Sequence, residues 1–545
     1  MWILYNVYKN FKNTNSISYP KIFTSGAARI CTNSKKEIVQ FPNYTGPGAK
    51  SEIVFIPDEN NYFKLRENAF KSGVNVLMSD IIGIKRILPD RRPDACKKIK
   101  YPENLPSISI VITFRDEPMS CLLRTIYSVL ETSPENLIHE IILVDDGSVD
   151  EELKLAVNIH ASNVQKLKLI VHERPLGLMI ARTKGIEQTK SDFFIVLDGH
   201  IEVTPGWLEP IIHRLVQQPN VLLTSHVGEI GREIFEFILD DQYKLFCAFD
   251  PITIIEEWLT YSWAFRDTRN GSVEPIEYGT IPGMMTAMRK EFFYKLGGFD
   301  TGMEVWGFEH IEVSVKVWLC GGHVEMIPCS KIGHLYRDIP WQNMYPDFDY
   351  KTKNKLRFIL VWMDGESKKL ALEALHRGNY SKQIDPGDLS DRFKIKILNK
   401  CKPYEHYIDQ LRKISNPFIP RNVRKSGNIF NKATDKCLEI TSIEGIFELI
   451  TSHCGDHVSQ FCVLTDNMNI RISSHWIKLD GRKKKLSFPT QAQNLLVPEL
   501  KWKFDEINGF IISNTSIGCL TVNNYGQVFL KTCNDSPLQK WSWFP

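Results

Sequence analysis

The sequence carries no excess of charge of either sign. Its 67 basic and 64 acidic residues leave a net charge of +3 over 545 residues, so a nucleic acid or other polyanionic partner has no electrostatic footprint here. Cysteine is sparse as well. Twelve cysteines cannot staple a chain of this length, which excludes a disulfide scaffold and leaves apolar cores to hold the fold. No long apolar run opens the chain: Met1 to Pro20 starts apolar and turns polar at Lys9, Asn10, Lys12 and Asn13. That is shorter than the roughly 20 residues of a membrane span, and it lacks the basic, apolar, small-residue order of a secretory leader. What is present is a 43% hydrophobic composition, enough for two to four globular domains. Asn-x-Ser/Thr sequons at Asn43, Asn270, Asn379, Asn514 and Asn534 are compatible with a secretory compartment.

Along the chain, residues 1–60 lack periodicity and 58–79 carry a polar helical pattern. Ser107–Phe114 reads as a strand, and Ser120–Leu130 as a helix with Leu122, Leu123, Ile126, Val129 and Leu130 on one face, stopped by Ser133-Pro134. Strands at Glu140–Val144 and Lys166–Val171 and a helix at Leu178–Thr189 follow. Asp145 and Asp146 read either as ligand-facing residues or as caps of the next helix. Strands alternating with helices predict βαβ units and a Rossmann-like nucleotide-binding sheet. Later come a short helix at Arg289–Leu296, a helix from Trp306 through Trp318, and a helix at Lys353–Asp364. From Gly427 the texture changes to short β segments. Cys437-Leu438-Glu439 recurs as Cys519-Leu520-Thr521, and Gln539-Lys540-Trp541 has a looser echo in Leu500-Lys501-Trp502, which predicts a small repeat array or trefoil.

The pivot is Phe193-Phe194-Ile195-Val196-Leu197, a run apolar enough for a strand buried on both faces, ending in Asp198-Gly199-His200. Ligands of open α/β sheets sit beyond the carboxyl ends of strands. A carboxylate and an imidazole two residues apart can point at one divalent ion such as Mn²⁺; taken alone, they also read as a polar turn. His453-Cys454, His457 and Cys462 resemble a zinc cluster only loosely, because their spacing is poor.

Together with these features, several short stretches in fixed order resemble the polypeptide N-acetylgalactosaminyltransferases, from about Pro47 to the C-terminus. They are Gly46-Pro47-Gly48, Leu88-Pro89-Asp90, Tyr101-Pro102 with Leu105-Pro106, Leu122-Leu123-Arg124-Thr125 and Ile141-Ile142-Leu143-Val144-Asp145-Asp146. Further on come Gly206-Trp207-Leu208-Glu209-Pro210, Ile327-Pro328-Cys329-Ser330 with Gly333-His334, and Val361-Trp362-Met363-Asp364. The resemblance implies an α/β glycosyltransferase-A catalytic domain followed by an all-β ricin-type β-trefoil lectin domain. The divisions expected are a stem at 1–57, a catalytic domain at 58–411, a linker at 412–426 and a lectin domain at 427–545. It further implies a Mn²⁺ triad of Asp198, His200 and His334. Trp306 and Glu309 would be the catalytic residues, with Trp306 also touching substrate. Thr113, Asp146, Arg174, Gly199, Gly283 and Arg337 would line the UDP-GalNAc site. The implied disulfides are Cys96–Cys329, Cys320–Cys401, Cys437–Cys454 and Cys519–Cys533, leaving Cys31, Cys121, Cys247 and Cys462. The lectin disulfide accounts for Cys454 better than zinc does.

The implied activity is retaining transfer of N-acetylgalactosamine from UDP-GalNAc to Ser or Thr hydroxyls of peptides or glycopeptides, the first step of mucin-type O-glycosylation. The implied location is the Golgi lumen, with a type II membrane anchor that Met1–Pro20 does not display. The acceptor hydroxyl would attack on the face the diphosphate leaves, a phosphate oxygen taking its proton. Some positions depart from the family. Trp-Gly-Gly-Glu-Asn reads Trp306-Gly307-Phe308-Glu309-His310, and the Ala-Gly-Gly floor of the sugar site reads Pro282-Gly283-Met284. One diphosphate-side arginine aligns with Pro175, beside Arg174, and another with Ile180; a histidine and a tyrosine become Pro340 and Gln342. The lectin aspartate is Glu439 in the first repeat and Thr521 in the last. Met284 and Phe308 are expected to crowd the sugar, giving weak transfer with nearly normal UDP binding. The alternatives are a weak or inactive family member that binds UDP-sugar or glycopeptide, and a carbohydrate-binding lectin.

Overall fold

The computed structural model describes residues 73–239, 254, 273–337, 349–377, 384–414, 422–443, 446–473, 475–479, 486–487, 501–514 and 518–544. The expected stem, most of the polar helical pattern, residues 415–421, Asn43, Asn270, Asn379, Cys31, Cys247, Pro340, Gln342 and Leu500 lie outside them.

The strands β1 (Ile108–Phe114), β2 (Ile138–Asp145), β3 (Leu167–Val171) and β4 (Phe193–Asp198) form where the apolar runs place them. All pair in parallel, β1 lying between β2 and β4. Every residue of β1 is buried, which is why its run does not alternate. Four helices flank this half: α1 (Val76–Ile82), α2 (Met119–Thr132), α3 (Glu151–Asn163) and α4 (Leu178–Glu187). Asp150, not Asp145 or Asp146, caps α3: its Oδ1 accepts from the amides of Glu152 and Leu153 at 2.9 and 3.1 Å.

The sheet is mixed. Beyond β4 come β5 (Ile201–Val203), β6 (Val221–Ile230), β7 (Phe237–Ile238), β8 (Ile276–Glu277), β9 (Met285–Arg289) and β10 (His323–Leu335), in the order β3-β2-β1-β4-β9-β6-β10-β5, with β7 on β6 and β8 on β10. The parallel surroundings expected for β4 hold on one side only, because β9 runs antiparallel to it, Leu197 opposite Met285. That reversal brings the start of β9 to the end of β4, and the Asp198 amide donates to the Met284 carbonyl at 3.2 Å. α5 (Glu309–Leu319), α6 (Asp349–Trp362), α7 (Gly365–His376) and α8 (Tyr404–Ile414) pack around this sheet's later part. Phe358, Ile359, Trp362, Tyr404 and Tyr407 share one core cluster with Val313, Val315 and Val317 of α5.

A buried charge cluster pins β5 to the helices. Glu202 accepts from Arg86 Nε and Nη2 at 2.6 and 2.7 Å and from Arg124 Nε at 2.9 Å. Arg124 also donates to the carbonyls of Ser79 and Gly83, and both guanidiniums lie over the Phe235 ring. The next residue along α2 is Thr125, whose Oγ1 donates to the Gly199 carbonyl and accepts from the Ile201 amide, each at 3.0 Å. The Leu122-Leu123-Arg124-Thr125 motif is therefore the brace behind the Asp198-Gly199-His200 turn.

The C-terminal part, from Val423 on, is the β-trefoil. Its first strand, β11 (Val423–Asn431), pairs with Cys462–Thr465 and Trp541–Phe544. Residues 423–426 of the expected linker are thus strand, and α8 runs on to Ile414, past the expected domain end at 411. Trp502 and Trp541 are core residues. Gln539 Nε2 donates to Thr521 Oγ1 at 2.9 Å, and Gln460 Nε2 donates to Glu439 Oε2 at 3.3 Å. Gln460-Phe461-Cys462 is therefore the first repeat's counterpart of Gln539-Lys540-Trp541, hidden in the sequence because cysteine stands for tryptophan. Leu370 and Ala374 of α7 pack on Phe461 and Val463 of the trefoil.

All four disulfides form as the resemblance implies: Cys96–Cys329, Cys320–Cys401, Cys437–Cys454 and Cys519–Cys533. Cys454 is thereby removed from any zinc site, and Cys121 and Cys462 are buried free thiols. Among the described residues, no helix is long and apolar enough to cross a membrane.

Candidate active site

Three potential ligands converge at the carboxyl ends of β4 and β10. Asp198 ends β4 beside Thr113 of β1. Two residues on is His200, whose carbonyl accepts from the Leu335 amide at 3.1 Å. His334 lies on β10 opposite Ile201. One ligand atom from each of Asp198, His200 and His334 falls within 4.8 Å of the others. The two imidazole rings are 4.8 Å apart, and His334 Nε2 is 3.9 Å from Asp198 Oδ2.

Burial pushes the His200 imidazole below its ordinary range, against the opposing charge of Asp198. His334 lies well below that range because of burial and, secondarily, His200. Both rings are therefore neutral at physiological pH, the form that ligates metal. His334 Nδ1 is buried with no hydrogen-bond partner. A carboxylate, two neutral imidazoles and a buried ring nitrogen without a partner fit a divalent ion of the Mn²⁺ type.

Two residues absent from the sequence reading hold these ligands. Arg182 on α4 donates from Nη2 to Asp198 Oδ1 at 2.7 Å and to the Gly283 carbonyl at 3.0 Å. Glu117, after β1, sits with Oε1 3.1 Å from His200 Nδ1 and Oε2 against Arg337 Nη2. Each left a signal. Arg182 falls in the buried stripe of Met179 and Ile186, and Glu117 follows a strand's carboxyl end, as Asp198 does.

Arg182 also reaches the second group of residues. Its Nη1 donates to Glu309 Oε1 at 3.2 Å. Burial pushes the Glu309 carboxyl up, but the hydrogen bond and charge of His310 and the charge of Arg182 outweigh it and hold the pKa at about 2. Glu309 is thus an anion at neutral pH, not a general acid. Its Oε2 accepts from the Gly307 amide at 2.8 Å, tying down the loop that carries Trp306. Asn354 on α6, fully buried, holds the same loop: it accepts from the Glu304 amide at 2.8 Å and donates to the carbonyls of Glu304 and Gly307. Lys351 Nζ lies 4.2 Å from the centre of the half-buried Trp306 ring.

Phe308 corrects an expectation. Its ring is 1% exposed and packs edge-on against Phe358 at 5.2 Å, so it belongs to the core and does not crowd the sugar. It adopts a left-handed φ of +72°, where a non-glycine residue costs about 1–2 kcal/mol. Phe308→Gly relieves that strain but forfeits about 3–5 kcal/mol of buried ring. Packing wins, and a net loss of about 1–4 kcal/mol is expected in denaturant unfolding; a stabilised glycine variant would contradict this balance.

On the nucleotide side, Thr113 Oγ1 is buried with no hydrogen-bond partner. Asp146 is less free than expected. Its Oδ1 accepts from the Leu176 amide at 2.9 Å and lies 3.0 Å from His172 Nδ1, and Oδ2 accepts from the Gly177 amide at 2.9 Å. It first shapes the 172–177 loop, with lone pairs left over for a ligand. Arg174 is exposed. Gly283 has φ +94°, and a Cβ there would lie 3.2 Å from the His310 ring. Met284 is 2% exposed.

Family models agree with this layout. Glycosyl transferase family 2 matches residues 109–297, the N-terminal domain of galactosyltransferase matches 270–338, and the ricin-type beta-trefoil lectin domain matches 425–541. The chain is 33% identical over 407 residues to human polypeptide N-acetylgalactosaminyltransferase 13, covering 73% of this chain and 70% of that one. To the bovine polypeptide N-acetylgalactosaminyltransferase 6 it is 30% identical over 526 residues, covering 92% and 82%. The crystal structure of GalNAc-T7 with UDP, GalNAc and Mn²⁺ superposes with a TM-score of 0.69 at 27% identity, covering 94% of each chain.

Proposed function

The chain belongs to the polypeptide N-acetylgalactosaminyltransferase family, and on that premise we propose that it transfers N-acetylgalactosamine from UDP-GalNAc to Ser or Thr hydroxyls of polypeptides, with retention and with Mn²⁺. The observation that carries this is the convergence of Asp198, His200 and His334 at the carboxyl ends of β4 and β10. These three side chains would hold the ion, which when bound neutralises charge on a departing diphosphate. The chain's own residues divide the rest. Thr113 offers a buried hydroxyl to the uridine. Arg337 lies beside His200, where the diphosphate would sit. Ionised Glu309, fixed by Arg182, faces developing positive charge on the sugar, and Trp306 covers the site from a loop braced by Asn354. Gly199 and Gly283 let backbone approach the ligand. The catalytic domain would run from 58 through α8 and the lectin domain from β11, after a stem at 1–57. Family membership supports a Golgi lumenal enzyme.

Transfer from UDP-GalNAc to a panel of Ser/Thr peptides and glycopeptides with Mn²⁺ tests the proposal. Metal-dependent incorporation is expected; UDP binding with no transfer to any acceptor would favour the binding-only reading. One sequence feature favours weak transfer: Met284 stands where the family has a glycine against the sugar. Met284→Gly is expected to raise kcat/KM for GalNAc transfer about tenfold, the effect of about 1.4 kcal/mol of better positioning, with UDP affinity unchanged. An unimproved variant would clear Met284.

A further inference from the structure

We propose that Glu117 is a positioning residue: it fixes which nitrogen of His200 is left for the metal ion and anchors Arg337 on the diphosphate side. This rests on the reading that Asp198, His200 and His334 bind the ion. The Glu117 side chain is 6% exposed, and a buried carboxylate persists only when its oxygens are partnered. Here both are. Oε1 is 3.1 Å from His200 Nδ1, and Oε2 takes the guanidinium of Arg337.

Arg337 Nη2 is also 2.9 Å from His200 Nδ1, but an arginine has only donors and a carboxylate only acceptors. Nδ1–H pointing at Glu117 satisfies the carboxylate, leaving Nε2 with its lone pair free for a metal. This is the carboxylate–histidine–metal relay by which an outer residue sets ring orientation and raises ligand basicity. The backbone is cut to admit it. A Cβ on Gly199 would lie 3.2 Å from Glu117 Cγ and 3.0 Å from Phe114 Cβ, so the missing side chain between Asp198 and His200 is the space Glu117 fills. The pairing bridges 83 residues to His200 and 220 to Arg337.

The test titrates Mn²⁺ into the full chain without donor, following the electron paramagnetic resonance signal of free Mn²⁺. Wild type, Glu117→Gln and Glu117→Leu are compared, with Asp198→Asn as a ligand-loss control and thermal melts on each. Gln keeps one neutral acceptor, so its Mn²⁺ affinity should fall about tenfold; Leu keeps none and should lose about a hundredfold. UDP affinity at saturating Mn²⁺ should also fall in Glu117→Leu, as Arg337 loses its anchor. Folded variants with wild-type Mn²⁺ affinity, beside a wild type that binds and an Asp198→Asn that does not, overturn the role of Glu117 alone. A wild type that binds no Mn²⁺ overturns the metal site and this role with it. Should Glu117→Leu fail to fold, the near-isosteric Glu117→Gln decides.

Discussion

Asp198→Asn and His334→Ala should each lower GalNAc transfer at least about a thousandfold, because losing a ligand removes several kcal/mol of charge stabilisation in the transition state. Asn keeps the shape of Asp198 but gives Arg182 and the ion a neutral oxygen in place of a charge. Ala removes the His334 imidazole, whose Nε2 lies 3.9 Å from Asp198 Oδ2. Asp198 is partly exposed at the rim, so the melting temperature of Asp198→Asn should move by less than about 5 °C. Initial rates with and without added Mn²⁺, beside thermal melts, decide it. Either variant keeping a tenth of wild-type activity would remove that residue from the ligand set. The same reasoning makes UDP affinity metal-dependent: calorimetry in EDTA should show UDP binding lost, since a carboxylate repels a diphosphate unless a cation lies between them.

The largest stability effect should come from Glu202→Ala. Arg86, Arg124 and Glu202 are 1%, 1% and 6% exposed at their side chains, so deleting the one anion leaves two guanidiniums facing each other in the core. Breaking a buried pair in this way costs about 3–5 kcal/mol. Because the cluster braces α1, α2 and β5, the catalytic half should unfold earlier in denaturant while the trefoil transition stays in place. A loss below about 1 kcal/mol would show that water or rearrangement replaces the carboxylate. The pH dependence follows from the same group. Burial pushes the Glu202 carboxyl up, but the charges of Arg86 and Arg124 outweigh it and leave it below its ordinary 4.5. A depressed carboxylate contributes stability that is fully present above the unfolded value and lost as pH falls through the folded one. The contribution of Glu202 should therefore be intact at pH 5 and above and fall away below about 4.5, a trend that Glu202→Gln should flatten.

Much of this molecule was legible in the chain because its signals are local. Apolar runs marked β1 to β4, and the rule that ligands gather at carboxyl ends of strands pointed to Asp198 and His200, two residues apart. The Cys-Leu and Gln-x-Trp echoes marked the trefoil. Pairing His334 with residues over 130 positions earlier needed the resemblance, as did the four disulfides, because periodicity carries no information about distant partners. Residues 423–426 of the expected linker form strand because a polar, basic stretch also suits a strand whose outer face meets solvent, as in β11.

By itself, the sequence determined the element types, the buried strand that ends at Asp198, and the residue kinds able to hold a divalent ion. Each follows from the period of side chains along one segment. Only the tertiary structure decided which charged side chains meet. Glu117 against His200, Arg182 between Asp198 and Glu309, and Asn354 under the Trp306 loop depend on sheet order and on the reversal of β9. Phe308 was decided in the same way. A ring at a glycine position reads as an obstruction in one dimension, but the left-handed backbone turns it into the core against Phe358. Packing selects among side-chain directions that local sequence leaves equivalent, and burial of the apolar ring outweighs the strain of placing it there.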